Sequence, residues 1–500
     1  MKLKFGTGGL RAVMGSGEEE MNLDVIRTAT MGVASYAKGI CKHPKAAIAY
    51  DTRKNSDAFA METARILALE GCQVFIYPSP TPTPLLSFAV RELKCDLGIC
   101  ITASHNPKEY NGYKVYGADG CQITNKAAKA IQEEIERAEA DDRIMNSTYE
   151  ELLGEQKINE ISEEIYKKYL LEILRYRFGK NKIENLKIVY TPLNGTGLVP
   201  MLKMMEAMGV KNLNLVKEQT EPSGEFETCP IPNPEEDEAL SLGKKLCERV
   251  EADILLATDP DSDRIGVAAK CGDGYERLSG NQLGVLLLDY VLKKRREANA
   301  LSKDSVILKT IVTTSMVEHI AAEYGVQTIN TLTGFKYIGE QIGKLELSGQ
   351  LERFVLGVEE SCGYLVGPYV RDKDAIGTAM LVCEMAEEYK RNGITLWEKL
   401  ESLYQKYGKY QTELITKRYK MNEAEEYMKR LREDLKDGKT VKYEGDTVIR
   451  VEDYKEGLYG LPPANVVKMW TDKDTVVVIR PSGTEPKIKI YKETRLKKDL

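Results

Sequence analysis

Residues 46–77 read AAIAYDTRKNSDAFAMETARILALEGCQVFIY. A short apolar run, Ala46–Tyr50, is followed by a polar turn, a segment of helical periodicity from about Ser56 to Glu70, and a second β-type run, Gln73–Tyr77. Two strands joined through a helix within some thirty residues must run parallel, because a direct hairpin is excluded. A third apolar run, Leu97–Ile101, predicts a further strand of the same sheet.

The alternation recurs downstream. A second stretch begins near Lys187–Thr191, passes through Asp253–Thr258 and Ile265–Ala269, and is expected to close with the apolar helix from Asn281. A third opens at Val306–Val312, contains Val326–Asn330 and Phe354–Val358, and ends with a helix from about Asp374 to Lys390. After Trp397–Tyr407 the texture changes: strand-like Tyr410–Tyr419, a charged helix near Glu423–Lys436, then strand, loop and strand around Val476–Tyr491. The predicted class is α/β, with three similar αβ domains of mixed, largely parallel sheets and a smaller α+β domain at the end. Expected divisions are 1–180, 181–300, 301–403 and 404–500, the last one shortened. The Glu- and Lys-rich segment between Ile131 and Tyr176 is expected to be helical and to cover the first domain.

Five hundred residues at roughly 100–200 per domain agree with three to four cores. Seventy-one Lys and Arg against 77 Asp and Glu leave a net charge of −6 with the signs interspersed, which argues against a nucleic-acid or membrane-surface protein. No run approaches the roughly 18 uninterrupted apolar residues of a membrane helix, and Met1–Gly9 has no apolar signal core, so a cytoplasmic protein is expected. Ten irregularly spaced cysteines, with no C-x-x-C pair, read as buried thiols in a reducing compartment. With only His43, His105 and His319 available, a metal falls to carboxylates.

Asp259-Pro260-Asp261-Ser262-Asp263-Arg264 follows the apolar run Ile254–Ala257. Carboxylates at i, i+2 and i+4 of an extended loop share one side and make a hard-oxygen set suited to Mg²⁺. The alternative, an EF-hand, fails because Arg264 occupies its glycine position and Lys270 its final glutamate. Thr102-Ala103-Ser104-His105-Asn106-Pro107 stands beyond the strand Leu97–Ile101, where open α/β sheets place ligands. Its serine suits a nucleophile or covalent carrier, although the same residues serve ordinary turns. Tyr110-Asn111-Gly112-Tyr113-Lys114 reads as a turn before a strand, from which Lys114 can reach back. Arg480-Pro481-Ser482-Gly483-Thr484-Glu485-Pro486-Lys487, between two strands, carries more phosphate donors than a hairpin needs. Glu359-Glu360-Ser361 ends a strand, where carboxylates can accept from sugar hydroxyls. Gly6-Thr7-Gly8-Gly9-Leu10-Arg11 lacks the dinucleotide spacing, and Gly339–Lys344 falls one residue short of a P-loop, so nucleotide use is unsupported.

In this order the motifs Phe5–Arg11, Thr102–Pro107, Asp259–Arg264, Gly357–Gly363 and Arg480–Lys487 resemble the α-D-phosphohexomutase family, most closely its phosphoglucomutase branch, over nearly the whole chain. The resemblance implies four domains around a central cleft. It implies that Ser104 carries the phosphoryl group and, through a phosphate oxygen, completes a Mg²⁺ shell of Asp259, Asp261 and Asp263. Arg11, His105 and Lys114 match positions around the phosphoserine. Arg264, Gly334, Glu359, Ser361, Lys373, Arg480, Ser482, Gly483 and Thr484 match substrate-binding positions. The implied activity is interconversion of glucose 1-phosphate and glucose 6-phosphate through a bisphosphate, with Mg²⁺ and glucose 1,6-bisphosphate as activator. Phosphomannomutase or phosphopentomutase activity is the alternative within the family, and an inactive sugar-phosphate-binding protein the alternative outside it. Relatives of this branch carry longer segments before Phe5 and after Tyr491, hence the expectation of a shortened fourth domain.

Overall fold

In the computed structural model, which describes residues 3–6, 8–138, 147–419, 423–436, 441–481 and 487–496, the first unit is a six-stranded sheet. Its strands are β1 (Leu10–Val13), β2 (Lys45–Tyr50), β3 (Gln73–Ile76), β4 (Leu97–Ile101), β5 (Tyr110–Gly117) and β6 (Ile158–Glu160), in the order β1-β5-β4-β2-β3-β6. Strand β2 pairs in parallel with β3 and β4, as the βαβ pattern requires, and β5 is antiparallel to both β4 and β1. Because strand side chains alternate, Ala46 and Ile48 enter one core while Ala47 and Ala49 enter the other. The first core is closed by α1 (Leu23–Ile40), α2 (Ser56–Leu69), α4 (Asn125–Arg137) and α5 (Tyr149–Gly154), the second by α3 (Thr83–Glu92) and α6 (Glu163–Leu174).

Two expectations are corrected here. The segment 131–176 is not helical throughout: β6 interrupts it and extends the sheet beside β3, a pairing that its three-residue length hides in the sequence. Tyr110–Gly112 is not a turn but the start of β5, because β1 pairs with it from the chain's beginning and supplies its ladder.

The second sheet has the order β11-β10-β9-β7-β8, with β7 (Lys187–Thr191), β8 (Asn212–Leu215), β9 (Ile254–Thr258), β10 (Ile265–Cys271) and β11 (Gly274–Leu278). Helices α7 (Leu198–Ala207) and α8 (Asp237–Val250) accompany it. Helix α9 (Gly280–Glu297), capped by a reciprocal Ser279–Gln282 box, was expected to close this unit. Instead it packs chiefly on the third, against β14 (Phe354–Glu359) and α10 (Met316–Glu323), and the Tyr364 hydroxyl donates to its Gly280 carbonyl at 2.7 Å. Its middle, Leu283–Leu292, is buried on every side, as fits a helix packed between units, while its last turn is charged.

The third sheet is β13-β12-β14-β15, with β12 (Val306–Thr310), β13 (Gln327–Thr331) and β15 (Gly363–Leu365). It is flanked by α11 (Phe335–Leu347), α12 (Ala375–Arg391) and α13 (Leu396–Tyr407). The fourth is entirely antiparallel, β16-β21-β20-β19-β18-β17. It comprises β16 (Lys409–Arg418), β17 (Lys442–Tyr443), β18 (Asp446–Asp453), β19 (Val467–Thr471), β20 (Thr475–Pro481) and β21 (Lys487–Leu496). Helix α14 (Glu423–Lys436) places Ala424 and Met428 on one face. On the other, Tyr454, Leu461, Val466 and Val478 pack with Ile311, Leu332 and Tyr337 of the third unit. Among the described residues no helix is long and apolar enough to cross a membrane.

Candidate active site

The chain leaves β4 at Ile101 and turns through Ser104, which is 3% exposed and has φ +52°. A non-glycine residue in the left-handed region costs on the order of 1–3 kcal/mol, so its surroundings must impose the shape. The Thr102 hydroxyl accepts from the Ser104 amide at 2.8 Å. Arg53, 2% exposed, donates from Nη2 to the carbonyls of Ser104 (2.6 Å) and Asn106 (2.5 Å) and from Nη1 to those of Pro107 (2.8 Å) and Tyr110 (3.1 Å). Asp51 stands 3.3 Å from Arg53 Nε, and the guanidinium rests on the Phe226 ring at 5.3 Å. Arg53 was missed in the sequence. The available signal was Asp51-Thr52-Arg53 at the carboxyl end of β2, a ligand-placing position of the sheet.

The Ser104 hydroxyl donates to Asp259 Oδ2 at 2.8 Å and lies 3.2 Å from His105 Nδ1. Burial, followed by the Arg264 and Arg11 cations, pushes the His105 imidazole well below its ordinary value and keeps it neutral. Arg11, on β1, donates to Asn106 Oδ1 at 3.1 Å.

Asp259, Asp261 and Asp263 are buried between β9 and β10, with a carboxylate oxygen of each within 4.8 Å of the others. The loop is not extended, as the spacing argument assumed. The Ser262 amide donates to the Asp259 carbonyl at 2.9 Å and Ser262 has φ +53°, so a tight turn brings the three carboxylates together. Thr196 donates from its amide and hydroxyl to the Pro260 carbonyl, both at 2.8 Å, and a Cβ on Gly195 would stand 2.4 Å from Pro260 Cα. Oδ1 of Asp261 and Oδ1 of Asp263 are buried with no hydrogen-bond partner among the described residues. Burial and the other two carboxylates push Asp259 well above the ordinary range. Orphaned oxygens in a dense acidic cluster fit a divalent cation.

Two lysines face this cluster. Lys114 Nζ lies 2.8 Å from Asp261 Oδ2 and 3.7 Å from Asp263 Oδ2. Lys373 Nζ lies 3.0 Å from Asp263 Oδ2. Above them opens a cleft of about 1310 Å³ lined by Arg11, His105, Arg264, Gly334, Glu359, Ser361 and Arg480, among others. Burial raises Glu359 to about 7, opposed by the neighbouring Lys373. Glu360 instead accepts from the Thr310 hydroxyl at 2.8 Å. Arg480 donates to the Tyr491 hydroxyl at 3.1 Å. Ser482, Gly483 and Thr484 lie outside the described residues. All four sheets therefore contribute to one cleft, with Ser104 and the aspartates in a buried cluster at its inner edge.

Comparison with known proteins follows the same division. Residues 2–142, 164–272 and 279–407 match the alpha/beta/alpha domains I, II and III of phosphoglucomutase/phosphomannomutase. A phosphoglucomutase of Staphylococcus saprophyticus is 33% identical over 501 residues, covering 98% of this chain and 90% of its own. Among solved structures, parafusin, a phosphoglucomutase from Paramecium in its open form, shares the fold with TM-score 0.73 at 17% identity, covering all of this chain and 91% of its own. An N-acetylphosphoglucosamine mutase of Aspergillus fumigatus, solved with GlcNAc-6P and magnesium, has TM-score 0.55 at 14% identity over 98% of this chain and 92% of its own. With the three domain matches in chain order and full-length identity of one third, the chain belongs to the phosphoglucomutase/phosphomannomutase family.

Proposed function

We propose that this chain is a phosphoglucomutase that interconverts glucose 1-phosphate and glucose 6-phosphate through phospho-Ser104. The observation that carries the reading is the 2.8 Å bond from the Ser104 hydroxyl to Asp259, inside a three-carboxylate cluster at the edge of a cleft built by four units. Ser104 gives its phosphoryl group to the free hydroxyl of a bound sugar monophosphate. The phosphorus–serine oxygen bond breaks as the bond to the sugar oxygen forms, and the proton of the sugar hydroxyl ends on the freed serine oxygen. The bisphosphate turns over, and its other phosphate returns to Ser104. Neutral His105, 3.2 Å from that oxygen, takes the serine proton on the return step. Asp259, Asp261 and Asp263 would hold Mg²⁺, whose double charge offsets that of the transferring group. Arg11 and Arg264 add fixed positive charge on the cleft wall, and Lys114 holds Asp261 in place.

Glu359 and Ser361 are assigned to the sugar hydroxyls, with Gly334 beside them. Arg480, together with Ser482, Gly483, Thr484 and Lys373, is assigned to the phosphates. Glucose 1,6-bisphosphate is the expected activator, because it phosphorylates an empty Ser104. We assign the domains to 1–180, 181–278, 279–403 and 404–500, the second boundary moved ahead of α9 because that helix packs on the third unit, and a reducing, cytoplasmic location is supported by ten free cysteines. Incubation with glucose 1-phosphate, Mg²⁺ and a trace of the bisphosphate should yield glucose 6-phosphate. Ligand binding without turnover would identify a sugar-phosphate-binding protein instead. A higher kcat/KM for mannose or pentose phosphates would reassign the substrate.

A further inference from the structure

Strand β5 faces two other units at once. Residues two apart on a strand point the same way, and the two here are Lys114 and Tyr116. Lys114 meets Asp261 of the second unit. Tyr116, fully buried, donates its hydroxyl to Asp372 Oδ2 of the third unit at 2.9 Å. The other oxygen of that carboxylate, Oδ1, accepts from the Lys373 amide at 2.8 Å and from Lys373 Nζ at 3.2 Å. The same Nζ lies 3.0 Å from Asp263, so the ammonium is suspended between Asp372 and the acidic cluster.

The loop bearing Lys373 takes its position from the first unit on both sides. The Arg371 amide donates to Ser87 Oγ at 3.0 Å, and the Tyr169 hydroxyl donates to Asp374 Oδ1 at 2.8 Å. A Cβ on Gly363 would stand 2.2 Å from Lys373 Cδ, so the lysine stem has little room to move sideways. What remains free to vary is how the Asp372 carboxylate divides itself. With Oδ2 taken by the phenol, only Oδ1 faces the lysine. With Oδ2 released, the carboxylate can present both oxygens to the ammonium and draw it from Asp263 and from a substrate phosphate.

We infer that Tyr116 is a positioning residue, which acts through Asp372 to hold Lys373 toward the reacting end of the cleft. This inference rests on the proposed mutase reading for the role of Lys373, while the geometry of the relay stands apart from it. Burial and the facing Asp372 keep the phenol protonated, and so a donor.

The test is a double-mutant cycle on the full chain with Tyr116→Phe, Lys373→Met and the pair. Mutase kinetics would be run beside calorimetric binding of glucose 1-phosphate, with thermal midpoints as a control. Tyr116→Phe should lower kcat/KM about tenfold, the scale of one hydrogen bond to a charged group. It should also weaken binding, and both effects should fall within twofold of nothing once Lys373 is Met. Asp372→Asn, which preserves the shape, should show the same dependence on Lys373 and covers the case of a poorly folded Tyr116→Phe. Equal losses with and without Lys373, or unchanged kinetics and binding in Tyr116→Phe, would overturn the relay. Absence of turnover in the unmodified chain would remove the mutase reading, and the binding cycle would then decide the relay alone.

Discussion

The Ser104 hydroxyl donates a 2.8 Å hydrogen bond to Asp259, from the end of β4 in the first sheet to the end of β9 in the second. Neither residue is near the other in the chain, and each stands beyond the carboxyl end of its strand. If that oxygen is the phosphoryl carrier, Ser104→Ala removes the bond-forming atom without disturbing the sugar and phosphate contacts across the cleft. Turnover should fall at least roughly a thousandfold. Calorimetry should still detect glucose 1-phosphate, and the intact mass of the variant should lack the phosphoryl increment.

The orphaned oxygens of Asp261 and Asp263 predict metal-linked stability. Millimolar Mg²⁺ should raise the thermal midpoint of the unmodified chain, by the equivalent of about 2.7 kcal/mol at a hundredfold excess over Kd. Asp261→Asn should abolish that rise. A chelator should stop turnover, and added Mg²⁺ should restore it.

Arg53 holds four carbonyls of the serine loop from inside the protein. Arg53→Lys keeps the charge and loses the fork, so it should cost about 1–3 kcal/mol of stability. The kinetic effect should exceed the stability effect, with kcat lowered roughly a hundredfold and KM nearly unchanged. A KM rise without a kcat loss would show that the loop keeps its shape without the fork.

Glu346 receives Arg91 at 2.7 Å and Arg371 at 2.8 Å, stapling the first unit to the third. The Arg91 hydrogen bond above all, with Arg371 behind it, lowers its carboxyl to about 2. A depressed folded-state value contributes stability that is present above the unfolded value and lost as pH falls through the folded one. The contribution is therefore full above about pH 4.5 and fades toward pH 2. Since the side chain is 38% exposed, solvent screening limits it to about 1 kcal/mol. Glu346→Gln should lower the thermal midpoint at pH 7, and the gap to the unmodified chain should narrow at pH 3.

Much of the site was legible because its chemistry is local. Three aspartates in five residues, a serine after a buried strand, and an arginine with prolines and glycine in one hairpin each carry meaning without neighbours. Arg53 was not legible, since a single arginine in a polar turn looks like a solvated charge until four carbonyls surround it. Tyr116 was equally silent, because nothing local marks a tyrosine as the partner of a carboxylate 256 positions away. Lys114 was readable as a residue that can reach back toward the site, but its partner was not, because Asp261 lies 147 positions away. The small strands β6 and β15 and the destination of α9 also escaped, because three-residue pairings and the choice of packing partner leave little periodic trace.

The chain by itself determined most of its strands and helices and the residue types of the candidate site, since these depend on residue type and on spacing within one segment. Tertiary structure decided which groups meet. Ser104 reaches Asp259 across 155 positions and Tyr116 reaches Asp372 across 256. Such meetings come from parallel sheets that carry several strand ends to one side, and from units packed so that those ends converge on one cleft. Charge burial then does what no local pattern can, leaving three carboxylates with lysines and a cation-sized demand between them.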